Sequence, residues 1–181
     1  MAQASVKDLP NNKLTAGLGF GAQKLNLSLI GPNGNKVELE PNVNNQTIVS
    51  LNYGHLGISY GFKQEELSNS EFDGASSYDD YQFRLYYDNL LIEAFYQKYQ
   101  GYFIKNSNDV VSGSGPIKLP NLESTKHFSS FTYTFDSKNF SLNHPYSIDK
   151  LQTKSGGSWL LQANITHTTL KNRDQAIIPV A

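Results

Sequence analysis

Apolar residues recur at every second position along most of this chain. Nowhere do they hold the i, i+3, i+4, i+7 spacing of an amphipathic helix. Leu14, Ala16, Leu18 and Phe20 alternate with Thr15, Gly17, Gly19 and Gly21. After a short turn, Leu25, Leu27 and Leu29 alternate with Asn26 and Ser28. These two runs predict a first hairpin. A second is clearer: Val49, Leu51 and Tyr53 enter Gly54-His55, and Leu56, Ile58, Tyr60 and Phe62 return with Gly57, Ser59 and Gly61 between them. A two-residue loop sets Tyr53 opposite Leu56, Leu51 opposite Ile58 and Val49 opposite Tyr60.

Tyr81, Phe83, Leu85 and Tyr87 run into the turn dipeptide Asp88-Asn89, and Leu90, Ile92, Ala94 and Tyr96 return. That register places Leu85 against Ile92 and Phe83 against Ala94. On the other face it places Arg84 against Glu93, with Gln82 and Gln97 nearby. A fourth pair is predicted from Phe131, Tyr133 and Phe135 through Asp136-Ser137-Lys138-Asn139 to Phe140 and Leu142. Trp159, Leu161, Ala163 and Ile165 form a last alternating run.

The connections between pairs are longer and polar, at residues 31–44, 64–79, 105–126 and 145–155. Short turns alternating with long loops, and aromatic residues crowding both strand ends, are features of transmembrane barrels. The polar face separates this reading from a soluble sandwich or barrel, which would bury the same apolar rows. It carries Gly17, Gly19, Gly57, Ser59 and Gly61 with Gln82, Arg84, Glu93 and Gln162. Repeated glycine suits a crowded interior better than a wetted surface. The expectation is therefore an all-β, antiparallel, up-and-down transmembrane β-barrel with about 8–10 strands in this chain.

Four segments carry a family resemblance: Pro41-Asn42 with the hairpin at 46–62 (QTIVSLNYGHLGISYGF); residues 80–104 (DYQFRLYYDNLLIEAFYQKYQGYFI); Leu119-Pro120-Asn121-Leu122; and residues 154–161 (KSGGSWLL). In that order they resemble an uncharacterised Gram-negative outer-membrane family catalogued as domain of unknown function 4421. YQKYQGYF and KSGGSW are its most specific parts, and the resemblance covers residues 40–170. It implies a membrane barrel and no established activity, so no catalytic residue is carried over. One departure stands out. The chain closes on Ile177-Ile178-Pro179-Val180-Ala181, and proline is a poor residue for a closing strand. The expectation is that strands of a larger barrel, of about 12 strands, follow.

Composition narrows the classes. The 181 residues suffice for one domain, and 15 basic against 16 acidic residues give a net charge of -1. No field of one sign is present to attract nucleic acid. With no cysteine there are no disulfides, thiolate metal sites or cysteine nucleophiles. Leu90-Leu91-Ile92 is the longest aliphatic run, far short of the ~20 residues of a spanning helix. Ala2-Gln3-Ala4 has the small-x-small form of a signal-peptidase site. The expected organisation is an N-terminal segment at 1–12 following a signal peptide, a barrel domain at 13–171 and a C-terminal segment at 172–181.

Candidate chemistry is sparse. His127-Phe128-Ser129 has the H-x-S form of outer-membrane phospholipases, with Asn139, Asn143 or Asn164 available to orient the histidine. The triplet has no supporting neighbours. His55 reads as a solvated turn residue and His167 as an interfacial one. His144 completes the set of histidines, none of which shows metal spacing. Glu65, Glu66, Glu71, Asp73, Asp79 and Asp80 form an acidic stretch without EF-hand spacing, read as a solvated loop. Residues 105–116 read as a mobile Ser/Asn/Gly-rich loop. Arg84 and Glu93 are expected to form a lumen charge pair. Val49, Leu51, Ile58, Tyr60, Phe83, Leu85, Ile92, Tyr96, Trp159 and Leu161 are expected to face lipid. No metal, cofactor or catalytic activity is expected. The expected partners are outer-membrane lipid and the barrel assembly machinery, in a structural or narrow-pore role. The rival readings are a soluble β-barrel holding an apolar ligand and a phospholipase using His127 and Ser129.

Overall fold

The computed structural model describes residues 6–8, 13–21, 25–31, 34, 36–41, 43, 45–63, 76–105, 117–142 and 150–172. Among them are eleven strands and no helix: β1 (Val6–Asp8), β2 (Leu14–Gly21), β3 (Leu27–Ile30), β4 (Lys36–Glu40), β5 (Gln46–Tyr53), β6 (Leu56–Lys63), β7 (Ser77–Tyr87), β8 (Leu90–Ile104), β9 (Ile117–Thr134), β10 (Lys150–Gln152) and β11 (Leu160–Asn172). Seven run side by side in the order β2-β5-β6-β7-β8-β9-β11, every neighbouring pair antiparallel. The outer strands β2 and β11 each leave one edge unpaired among the described residues, so the sheet is open there. No helix among the described residues is long and apolar enough to cross a membrane.

The two central hairpins have the expected register. Tyr53 pairs with Leu56, Leu51 with Ile58 and Val49 with Tyr60. Leu85 pairs with Ile92, Phe83 with Ala94 and Arg84 with Glu93. Their turns bend at Gly54 (φ 57°) and Asp88 (φ 45°), residue types that tolerate the left-handed region.

Two predicted pairings are corrected. Leu14–Gly21 does not fold back on the Leu25-Leu27-Leu29 run. It makes an eight-rung ladder with Gln46–Tyr53, from Leu14↔Tyr53 to Gly21↔Gln46. Leu27–Ile30 pairs instead with Lys36–Glu40, inside a stretch predicted to be a polar loop. The longer partner satisfies twice as many backbone groups of β2 as the four-residue β3 offers. Likewise Phe140 and Leu142 are not in a strand. β9 pairs over thirteen rungs with β11, from Leu160↔Thr134 to Asn172↔Leu122. The Phe135 N–H reaches the Trp159 carbonyl at 3.1 Å, so the connection runs from 136 to 158 and is not a tight turn. Within it β10 pairs with β1, which is joined to the 136–139 turn by the Val6 N–H on the Lys138 carbonyl at 3.1 Å. The predicted polar connections are also shorter than expected: β7 begins at Ser77 and β9 at Ile117. Ala2-Gln3-Ala4, Glu65, Glu66, Glu71, Asp73, residues 106–116, Asn143, His144 and residues 177–181 lie outside the described residues.

At the end away from the tight turns, β8 keeps β9 on one edge and exchanges β7 for β4 on the other. Gly101 (φ 82°) sits where its register with β9 shifts, and the Ser76 hydroxyl donates to the Gly101 carbonyl at 2.9 Å. Beyond that bulge β8 pairs with β4 through Leu39↔Ile104 and Glu40↔Phe103. The buried hydrophobic cluster lies here: Val37, Leu39, Val43, Tyr78, Tyr99, Tyr102, Ile104 and Leu122.

Candidate membrane-facing belt and polar inner face

Because side chains alternate, the pairings sort every residue of the meander into rows on one of two faces. On the outer face one row reads Leu14, Tyr53, Leu56, Leu85, Ile92, Phe131 and Ala163. The next reads Ala16, Leu51, Ile58, Phe83, Ala94, Ser129 and Ile165. Toward the tight turns come Tyr87, Leu90, Tyr133 and Leu161, then Phe135 with Trp159. Most of these residues are open to the surface: Ile58 is 48% exposed and Trp159 86%.

The belt has an aromatic border on its far side. Leu18 and Val49 continue into Tyr60, Tyr81, Tyr96, His127 and His167 along a single row. Successive rings lie 4.9, 6.0, 5.0 and 6.4 Å apart from Tyr60 to His167. Tyr60 donates to Asp79 Oδ1 at 2.6 Å, and the row beyond runs from Phe20, Thr47 and Phe62 into the polar Asp79, Lys98, Thr125 and Thr169. From Phe135 to His127 along β9, the apolar and aromatic stretch is about 26 Å long at ~3.3 Å per residue.

The inner face is small and polar through the middle of β2, β5, β6 and β7, and carries the stacked Phe95 and Phe128 rings, 5.3 Å apart, across β8 and β9. Arg84 Nε meets Glu93 Oε1 at 3.1 Å, and Arg84 Nη2 donates to Gln82 Oε1 at 2.8 Å. Gln82 Nε2 and the Tyr78 hydroxyl both donate to Asp80 Oδ2, at 2.7 and 2.9 Å. A polar chain thus runs along β7 from Tyr78 to Arg84 and crosses to β8 at Glu93. Arg84 also lies over the Phe95 ring at 5.6 Å. The glycines make room. A Cβ on Gly57 would stand 2.6 Å from Asn52 Oδ1, and one on Gly17 2.5 Å from Ser50 Oγ. Gly17, Leu18, Gly19, Ile48, Ser50, Ser59, Gln82 and Arg84 line an open cavity of about 280 Å³.

The residues expected to face lipid thus share one face. Val49, Leu51, Ile58, Tyr60, Phe83, Trp159 and Leu161 are exposed, while Leu85, Ile92 and Tyr96 are half-buried among neighbours. Arg84 and Glu93 are brought together on the opposite face. His127 and Ser129 share the outer face. Among the described residues no hydrogen bond joins them: His127 meets the Tyr96 and His167 rings instead. Asn164 lies on the inner face, opposite Ser130, and Asn139 in the 136–139 turn. His55 is half-buried, edge-on to Tyr87 at 5.8 Å, so it is not the freely solvated turn residue expected. Asp79 and Asp80 belong to β7, and Asp80 is only 2% exposed, so neither is part of a solvated loop. No cluster of three or more metal-ligating side chains occurs among the described residues. The sequence reading missed the buried cluster. Its signal was present in the alternation of Val37 and Leu39 within KVELE, which the flanking charges obscured.

Fold and faces together define an all-β, antiparallel sheet protein with one apolar exposed face and one polar, glycine-lined face. Within that class the chain belongs to the family described as Domain of unknown function (DUF4421), whose model matches residues 6–180. No curated protein and no solved structure matches the chain.

Proposed function

We propose that this protein is an outer-membrane β-barrel, with the belt headed by Leu51, Ile58, Phe83 and Ile92 against hydrocarbon and the Arg84–Glu93 row enclosed. The observation that carries the reading is the belt itself. Aromatic side chains present ~150–250 Å² each, so at these exposures the belt amounts to on the order of 1,000 Å², beyond the ~300–600 Å² of the largest patch on an ordinary soluble monomer. Its length along the strand also suits a tilted strand in a band ~25 Å tall, and the Tyr60–His167 row suits an interfacial girdle. Strands can cross lipid only if every backbone group is paired, so the reading includes closure of the sheet into a ring. It takes outer-membrane lipid and the barrel assembly machinery as partners. The role is structural or that of a narrow pore for small solutes, without catalysis.

The soluble ligand-binding alternative would need the aliphatic rows packed together inside, and they are on the exposed face. The test is extraction. Recovery from a membrane pellet only with detergent, together with migration on a denaturing gel that shifts on boiling, is the expected result. Recovery as a monomer from a detergent-free soluble fraction would overturn the reading.

A further inference from the structure

The β3–β4 hairpin stands outside the meander, yet its apolar side is in the driest part of the molecule. Val37 and Leu39 are each 1% exposed and cluster with Tyr78, Tyr99, Tyr102, Ile104 and Leu122. Leu25, Leu27 and Leu29 pack at the margin. Tyr78, Tyr99 and Leu122 belong to the inner face, at the end away from the tight turns. The middle of that same face is polar and borders the cavity beside Gln82 and Arg84. One face of one sheet therefore changes from polar to apolar where the hairpin meets it.

We propose that this hairpin is a displaceable plug that seals one end of the lumen and keeps the resting barrel closed to ions; the inference rests on the membrane reading above. Its ladder to the wall is short. Two residue pairs, Leu39↔Ile104 and Glu40↔Phe103, join it to β8. The Lys105 N–H donates to the Glu38 carbonyl at 2.8 Å, and Lys105 Nζ meets Glu40 Oε2 at 3.4 Å on the rim. The seat also borders a polar liability. Asp80 is almost wholly buried, and its Oδ1 has no hydrogen-bond partner among the described residues. A buried acceptor without a donor favours any state in which water reaches it. The closed arrangement is therefore bordered by an unsatisfied acceptor beside Tyr78 and held to the wall by few ladder bonds.

The test uses the full-length protein in planar bilayers with potassium chloride as the probe. The chain has no cysteine, so Leu39→Cys with Ile104→Cys, directly paired positions, introduces a lone disulfide across the hairpin's seam. The unmodified protein is expected to be mostly silent and to open in about 1–2 M urea, below global unfolding. The oxidised double-cysteine protein is expected to stay silent in the same urea and to open once reduced. Val37→Asp with Leu39→Asp is expected to raise open time about tenfold or more without urea. Steady conduction by the unmodified protein, silence in urea, or equal openings in oxidised and reduced protein would each overturn the plug, and none of these needs the aspartate variant to fold. Vesicle flotation separates the two readings. Protein that floats but behaves in one of those ways refutes the plug alone, whereas protein that never floats refutes the membrane assignment and the plug with it.

Discussion

Leu122 and Ile58 are both branched aliphatic residues on strands of one meander, and their surroundings are opposite. Leu122 is 0% exposed beneath the β3–β4 hairpin, while Ile58 is 48% exposed in the middle of the belt. Apolar side chains thus serve two separate purposes here. At one end of the inner face they hold the chain to itself, and across the outer face no element among the described residues covers them. Hydropathy alone does not distinguish the two positions, because the distinction lies in which face has a covering element.

Substitution separates the two environments most sharply at the dry end. Leu122→Ala is expected to cost about 2–5 kcal/mol, through lost transfer energy and a residual cavity. Ile58→Ala is expected to stay within about 0.5 kcal/mol. Urea unfolding in detergent reads both, and equal losses would erase the contrast. On the membrane reading the belt becomes sensitive in lipid. Ile58→Arg is expected to cost about 2–4 kcal/mol in folding equilibria with vesicles, as for a cation at mid-bilayer, while leaving detergent stability nearly unchanged. Intermediate in effect is the Arg84–Glu93 pair, whose side chains are 26% and 20% exposed. Glu93→Gln is expected to cost about 1–2 kcal/mol, discounted for that exposure, and Arg84→Met added to it should recover part of the loss in a double-mutant cycle.

The smallest effect is expected on the hairpin's exposed side. Lys36 Nζ meets Glu38 Oε1 at 2.6 Å, and this bond and the lysine charge hold the Glu38 carboxyl below its usual range. A lowered carboxyl contributes stability above its ordinary range and loses it as pH falls through the lowered value. Thermal midpoints of the parent and Glu38→Gln proteins should therefore differ slightly near neutrality and converge in acid. A difference that grew in acid would reverse the assignment.

Much of the sheet was legible where strands join through two residues. Gly54-His55 and Asp88-Asn89 leave the backbone one register, and alternation then assigns every side chain to a face. From Leu51, Ile58, Phe83 and Ile92 the belt followed, and from Arg84 and Glu93 the inner pair. Legibility failed where partners are distant in sequence. β2 finds β5 across the whole β3–β4 hairpin, and β9 finds β11 across the 136–158 connection; local turn chemistry carries no record of either choice. The buried cluster was hidden for a different reason. Val37 and Leu39 alternate with Lys36, Glu38 and Glu40, and the charges on the wet side made the segment resemble a loop.

The count of strands in the meander has a consequence of its own. Seven antiparallel neighbours mean that the first and the seventh point the same way along the sheet. Joined directly, β2 and β11 would form a parallel seam. Another copy inserted in the same orientation would offer only edges of that same sense. A cylinder with opposed directions at every seam has even parity, so closing this sheet in the way the membrane reading proposes would take an odd number of strands beyond these seven.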